Sequence, residues 1–520
     1  MPIVKVPAAG AVGVIKDLSQ PELTNNAWSD ANNIRFIDGM AGQIYGYSEI
    51  YSAPAVTPLH VCPVVVSGAR YWIYGSAAKL RCVSTSGGVV THTDLTRASG
   101  GDYTATPNTW TSTLIGGLPV LNNGVDVPQA WDLDIANNFD ALSNWPASTY
   151  AKSVRTYKSY LVALNITKTT TEYPYMVKWS QPADPGALPA SWDHTDATTD
   201  AGELDLSEGY DQIIDGLQLR DSFMIYKESS VWRMDFTGGV YVFKFQKVLG
   251  VSGAMAVNCV VEVDGFHFVL TNQDIIIHDG QSAVSVLDKQ TRRYLFESIN
   301  PEYYSRCFVF KNPYVNECYA CYPEGSASVP NRAMVWNYKD KTVSFRDIPS
   351  LNHAACGPIG ADAISNPTWA TIGGTWDSIS RSWTSAAFSP EVARVLYAPD
   401  TTKLYLQDSS TTNDGATISA YIERIGLTFD NPEAIKTVRG IRPRLSGTDG
   451  GTVVVKVGSS SDPYGSVTWH AQSTYTIGQS HPAVDLFCSG RYIAIRFESG
   501  TASFWRLDSY DVDVEFTGLF

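Results

Sequence analysis

Residues 223–236 read FMIYKESSVWRMDF, two alternating runs around a turn at Glu228, Ser229 and Ser230. Trp232, Met234 and Phe236 share one side of the second run, and Val231, Arg233 and Asp235 share the other. Successive side chains of a strand point to opposite faces of its sheet, so this period of two describes a half-buried hairpin. The same strand-turn-strand pattern returns at 71–84, 118–131, 159–180, 266–280, 306–347 and 394–408. In the last of these, Leu404 and Leu406 are expected to face inward and Lys403, Tyr405 and Gln407 outward. Hairpins spread over about 340 residues at this density are spaced by roughly 40 to 50 residues, the length of one four-stranded propeller blade. The expected fold is therefore all-β, with a β-propeller of six or seven blades. Two or three β-sandwiches would accommodate the same alternation, but no single sandwich needs so many equivalent hairpins.

Around this repeat the chain divides into three. Residues 1–50 read as an extended amino-terminal arm and first strands, since Pro2, Pro7, Gly10 and Gly13 oppose a helix. Residues 51–415 hold the propeller, interrupted by two long loops. The first, 183–211, carries Asp184, Asp193, Asp196, Asp200, Glu203, Asp205, Glu208 and Asp211 without a Lys or Arg. The second, 361–390, is rich in Ser, Thr and Gly and spaces Trp369, Trp376 and Trp383 seven apart, as anchors of an irregular excursion. From 416 to 520 the strands lengthen and the turns become Gly-rich, as at Asp449-Gly450-Gly451, which predicts a separate β-sandwich platform.

Composition narrows the function. With 44% hydrophobic and 12% aromatic residues in 520, the chain can fill large cores. Only 17% are charged, against ~25% in ordinary soluble domains, which suits a subunit whose surface is covered in an assembly. The 38 Lys and Arg against 52 Asp and Glu leave a formal charge of −14, the wrong sign for gripping nucleic acid but no obstacle to letting DNA slide past. Eight scattered cysteines form no disulfide framework, so folding in a reducing compartment is expected. No stretch approaches the ~18 apolar residues of a membrane helix, and the opening residues do not resemble a signal peptide.

Candidate chemistry is sparse. Cys318 and Cys321 form an isolated Cys-x-x-Cys, but residues three apart on a strand point to opposite faces and are expected in the core. His278, before Asp279-Gly280, has the setting of a turn residue. Residues 459–469 (SSSDPYGSVTW) approach the Ser-x-Asp-x-Gly-x-Thr-Trp box of sialidase blades with one residue too many, and are expected to close a hairpin. No catalytic, cofactor or metal site is expected. Two charged groups remain as candidate surfaces. Asp196, Asp200, Glu203 and Asp205 are candidates for lining a lumen, where repulsion would keep DNA mobile. Arg439, Arg442 and Arg444, with Arg442 and Arg444 on one face across Pro443, are candidates for docking to a neighbouring acidic ring.

Residues 13–47 (GVIKDLSQPELTNNAWSDANNIRFIDGMAGQIYGY) carry Trp28-Ser29-Asp30, Asn33, Arg35-Phe36 and Asp38-Gly39. This stretch resembles the amino-terminal signature of tail hub, or nozzle, proteins of short-tailed (podovirus-like) bacteriophages, the packaged-DNA stabilisation type. The resemblance continues through Trp192-Asp193, Ala201-Gly202, Asp205-Leu206, Tyr226-Lys227-Glu228, 250–253 and His278-Asp279-Gly280. It then reaches Asn312-Pro313, 335–338 and Arg346-Asp347, covering about three quarters of the chain in texture and order. It implies a virion structural protein, a homohexameric ring below the portal adaptor. Fibre, spike or needle proteins would be its neighbours and DNA would pass through the lumen. Such a subunit is made in the host cytoplasm and ends in the virion tail. The alternative is a receptor-binding or glycan-degrading tail protein that presents aromatics and a carboxylate pair on the same propeller.

Overall fold

The computed structural model describes residues 3–66, 69–86, 89–239, 241–287, 291–359 and 393–519; the loop with the three spaced tryptophans lies outside them. Among the described residues, seven four-stranded antiparallel sheets succeed one another along the chain. They form the blades of a propeller, blade one at 60–94, then 111–141, 149–205, 213–249, 260–285, 308–347, and blade seven at 351–410. The first strands of all seven line one axial cavity, which makes them the innermost. Six blades are continuous in sequence. Blade seven takes its outermost strand, Gly46–Glu49, from the other end of the chain, pairing Tyr405 with Glu49 and Gln407 with Tyr47.

The two faces of a blade are both covered, and this changes the meaning of the alternation. Trp232 and Met234 enter a core shared by blades three and four with Tyr157, Leu164 and Phe243. Val231, Met224 and Tyr226, on the opposite side, enter the core between blades four and five. Among the apolar residues of the run, Phe236 at its end is exposed, at 43%. The same geometry overturns one expectation. Tyr405 and Gln407 do not face outward; both are buried, because the face opposite Leu404 and Leu406 packs on blade six.

The first fifty residues supply strands to both units of the fold. Four strands between Ile3 and Gln43 belong to the second unit, a sandwich of two antiparallel sheets. One sheet orders Ile34–Ile37, Met40–Gln43, Trp505–Leu519, Ala434–Gly447 and Val484–Gly490, with Ile3–Val6 also on Trp505–Leu519. The other orders Asp30–Asn32, Tyr421–Leu427, Tyr492–Ser499, Thr452–Ser460 and Thr468–Thr476. Between them Val438, Ile441, Val455, Ile495, Leu507 and Val512 are fully buried. This core runs without a break into Phe268, Met334 and Phe345 of blades five and six. The sialidase-like stretch lies between Thr452–Ser460 and Thr468–Thr476, a hairpin connection.

Candidate functional site

The residues carrying the phage resemblance converge on the junction between the two units. Asp38 and Gly39, at φ 53° and 73°, form the two-residue turn joining Ile34–Ile37 to Met40–Gln43, a connection that needs positive φ at both positions. Asn33, also left-handed at φ 56°, donates from Nδ2 to Asp347 Oδ2 at 2.9 Å and to the Ser419 carbonyl at 2.8 Å. Its Oδ1 accepts the Asp347 N–H at 2.9 Å, so one side chain satisfies groups of blade six and the sandwich together. Ser29 Oγ donates to the Glu423 carbonyl and accepts from the Ile425 N–H, both at 2.9 Å. Trp28 Nε1 donates to the Ala9 carbonyl, and its ring sits against Phe497 and Tyr510 inside the sandwich.

Beneath this lies a buried charge network. Arg35 reaches Glu317 Oε1 at 2.7 Å and Oε2 at 3.0 Å, and Asp408 Oδ2 at 2.8 Å. Arg346 holds Asp408 Oδ1 at 3.1 Å and the Tyr45 carbonyl at 2.8 Å. Burial opposes ionisation of Asp408, but the two guanidinium groups outweigh it and hold its carboxyl below the usual range. The network ties blades six and seven to the amino-terminal strands.

A second polar cluster joins inner strands of the propeller. Arg155, on the inner strand of blade three, makes a bidentate pair with Asp215 on that of blade four at 2.9 and 2.6 Å. Asp215 also accepts from Ser153 Oγ at 2.6 Å and from the Asn258 N–H at 3.0 Å. Asn258 Nδ2 donates in turn to Asn108 Oδ1 at 3.0 Å. Burial pushes Asp215 upward, yet Arg155 and these donors prevail and keep its carboxyl lowered.

On one side this cluster lines an axial cavity of about 270 Å³, where the His60 and His353 rings lie 4.0 Å apart. Burial and the mutual proximity of the rings hold His60 far below its ordinary pKa, while burial and Arg155 bring His353 to about 3. On the other side a cavity of about 700 Å³ opens at one face of the propeller, with Lys152 and Glu228 on its wall. No local motif marks these groups, whose partners lie in other blades. Aligning the first strand of each repeat would have found them, since His60, Ser112, Arg155, Asp215 and His353 all sit there.

The acidic segment is not a free loop. Gly202–Asp205 is the outermost strand of blade three, so Glu203 and Asp205 stand on the propeller's rim. Glu203 pairs with Lys168 at 2.7 Å and Lys178 at 3.0 Å, and His194 lies 3.4 Å away. Burial acts against its charge, but the two lysines hold the carboxyl below its ordinary value. Asp196 is exposed and caps its own turn through Thr198, and Asp200 accepts from Tyr160 OH at 3.1 Å. Beside Glu203 lies a pocket of about 600 Å³ walled by Trp145 and Trp192, whose rings are 4.7 Å apart.

Arg439, Arg442 and Arg444 are all exposed on one sandwich strand, on the same outer face after a register shift between Val438 and Gly440. Arg439 pairs with Glu515 at 2.7 Å and Arg444 with Asp511 at 2.8 Å. Arg442 has no ion-pair partner among the described residues. Cys318 and Cys321 share the strand Glu317–Tyr322 but enter separate cores, so they cannot hold one ligand together. His278 is not a turn residue. It ends a strand of blade five, fully buried, and with His267 Nδ1 brackets the Tyr226 hydroxyl, both at 2.6 Å.

No known family and no curated protein matches the chain. Among solved structures, it is similar to the WD40 domain of coronin from Toxoplasma gondii, at 8% identity and a TM-score of 0.37, over 72% of this chain and 87% of that one. It is also similar to apo AztD from Citrobacter koseri, at 12% identity and a TM-score of 0.32, over 56% of this chain and 86% of that one. The seven sheets themselves define the propeller.

Proposed function

We propose that this chain is a structural subunit of the tail of a short-tailed bacteriophage, assembling with copies of itself into the hub or nozzle ring below the portal adaptor. The supporting observation is the convergence of Asn33, Arg35, Arg346 and Asp347, which carry the resemblance, on the joint that fixes propeller to sandwich. A building block under mechanical load during DNA ejection needs that joint rigid. In this reading DNA runs between subunits, through the lumen of the ring, and the buried Arg155–Asp215 pair belongs to each subunit's own propeller. Net acidity keeps such a lumen from binding a polyanion. In this reading the rim carboxylates Asp196, Asp200 and Asp205 serve the lumen, the Arg442 face meets the neighbouring ring, and fibre or needle proteins attach outside.

The pocket walled by Trp145 and Trp192 favours the alternative, a glycan-binding tail protein. Hydrolysis is the weaker half of that alternative. A glycosidase acid needs a raised carboxyl pKa, whereas Glu203 is held ionised by lysines. Glu423 is raised by burial, but it pairs with Arg496 inside the sandwich and lines none of the three cavities. The deciding experiment is light scattering with electron-microscope class averages of the purified protein, with and without the particle's adaptor ring. A sixfold ring, alone or on the adaptor, supports the hub. A monomer or trimer that ignores the adaptor and binds or cuts polysaccharide overturns it.

A further inference from the structure

The cavity of about 700 Å³ at the propeller face has one lysine on its wall that makes no direct contact with an anion. Lys152, on the inner strand of blade three, is half-buried, and its ammonium makes no hydrogen bond or ion pair among the described residues. Ammonium groups taken out of water are ordinarily paired, because desolvation without a partner is costly. The nearby Glu228 attracts this ammonium without forming an ion pair with it, and its Oε1 accepts from Gln212 Nε2 at 2.8 Å. Burial lowers the Lys152 pKa, and the charges of Glu228 and Asp215 act against that shift without cancelling it.

The rest of the wall is divided. Met255, Val257 and Ile299 offer buried apolar surface, and Phe296 adds a ring. Asn272, Thr109 and Tyr304 supply polar edges. The volume lies within the ~300–1,000 Å³ typical of small-ligand sites, and one cation beside apolar walls suits one anionic head on an apolar body. Among the described residues, no arginine lines the cavity. A lone ammonium, without the fork of donors that phosphate favours, points to a carboxylate.

We propose that this cavity binds an apolar carboxylate, with the carboxylate on Lys152 and the hydrocarbon against Met255, Val257 and Ile299. The ligand is a free small carboxylate or the carboxyl terminus of a polypeptide partner. The proposal is independent of the ring reading, since it concerns one subunit's own propeller face.

The test is calorimetric titration of the full-length protein with octanoate, with octanamide, and with acetyl-Leu-Leu as free acid and as amide. Saturable binding of octanoate, at least about tenfold tighter than octanamide and lost in Lys152→Met, is expected. Tighter binding of the peptide acid than of octanoate identifies a polypeptide source, and the reverse a free metabolite. Val125→Trp, at an exposed position on the cavity wall, should block both probes and guards against a folding defect in Lys152→Met. Equal binding of acid and amide, wild-type affinity in Lys152→Met, or no binding of either acid overturns the proposal and leaves Lys152 solvated by cavity water alone.

Discussion

Arg35 and Glu317 lie 282 residues apart in sequence and form a bidentate ion pair, at 2.7 and 3.0 Å, with side chains only 10% and 3% exposed. Removing one member of a buried pair strands the other charge, at a typical cost of about 3–5 kcal/mol. Arg35→Met should therefore destabilise the protein by that amount in chemical denaturation. The double variant Arg35→Met/Glu317→Leu should recover part of the loss, since Asp408 keeps Arg346. A single-variant loss below about 1 kcal/mol would place the pair among weak surface bridges.

Acid should unfold the protein through its dry histidines. Burial depresses His60, His267, His278 and His353, with His267 and His353 at about 3 and His278 at about 4. Below the unfolded-state value of about 6.5 the unfolded chain takes up protons that the folded chain refuses, so stability falls as pH drops from there toward the folded values. Above about 6.5 these rings give no slope. Four rings together approach a limit of about 5 kcal/mol per pH unit. A urea midpoint that stays flat from about pH 7.5 to 5 would show that the rings are not held neutral.

Two aromatics of one strand should behave differently. Trp232 is 8% exposed in the core between blades three and four, and Trp232→Ala should cost about 3–5 kcal/mol. Phe236, at 43% exposure, should cost less than about 1 kcal/mol as Phe236→Ala. Equal losses, measured by denaturant midpoint at constant slope, would mean that the strand's end is covered by something else.

Closure of blade seven can be tested at a glycine. A Cβ on Gly46 would meet the Thr412 carbonyl oxygen at 2.1 Å, a backbone contact that cannot move aside. Gly46→Ala should cost at least about 1–3 kcal/mol and expose the strand Gly46–Glu49 to limited proteolysis. An unchanged digestion pattern would show that the blade closes without that close approach.

The central hairpin of each blade was legible because its two strands adjoin in sequence and alternate cleanly, as at Phe223 to Phe236. The innermost strands, such as Ile213–Leu219, and the short outer ones, such as Ala283–Ser285, carry weaker patterns and were not separately visible. Alternation assigns a residue to a face but does not say what covers that face, which is why Tyr405 and Gln407 were misplaced. Glu203 looked like one of eight loose acids because its lysines sit on neighbouring strands, 25 and 35 residues away. Arg155 and Asp215, 60 residues apart in successive blades, carry no mutual signature in a linear chain. The paired ends of the sandwich were hidden for the same reason.

Three strands near the start of this sequence pair with strands made hundreds of residues later. Ile3–Val6 and Met40–Gln43 pair with Trp505–Leu519, and Gly46–Glu49 with Tyr405–Ser410. At about 5–20 residues per second, the leading segment waits roughly half a minute to a minute and a half for the sandwich strand it joins. During that interval its unpaired edges are open to any chain nearby, including other nascent copies. Synthesis therefore has a vulnerable period that ends only once Trp505–Leu519 is available, and anything that slows elongation beyond blade seven lengthens it.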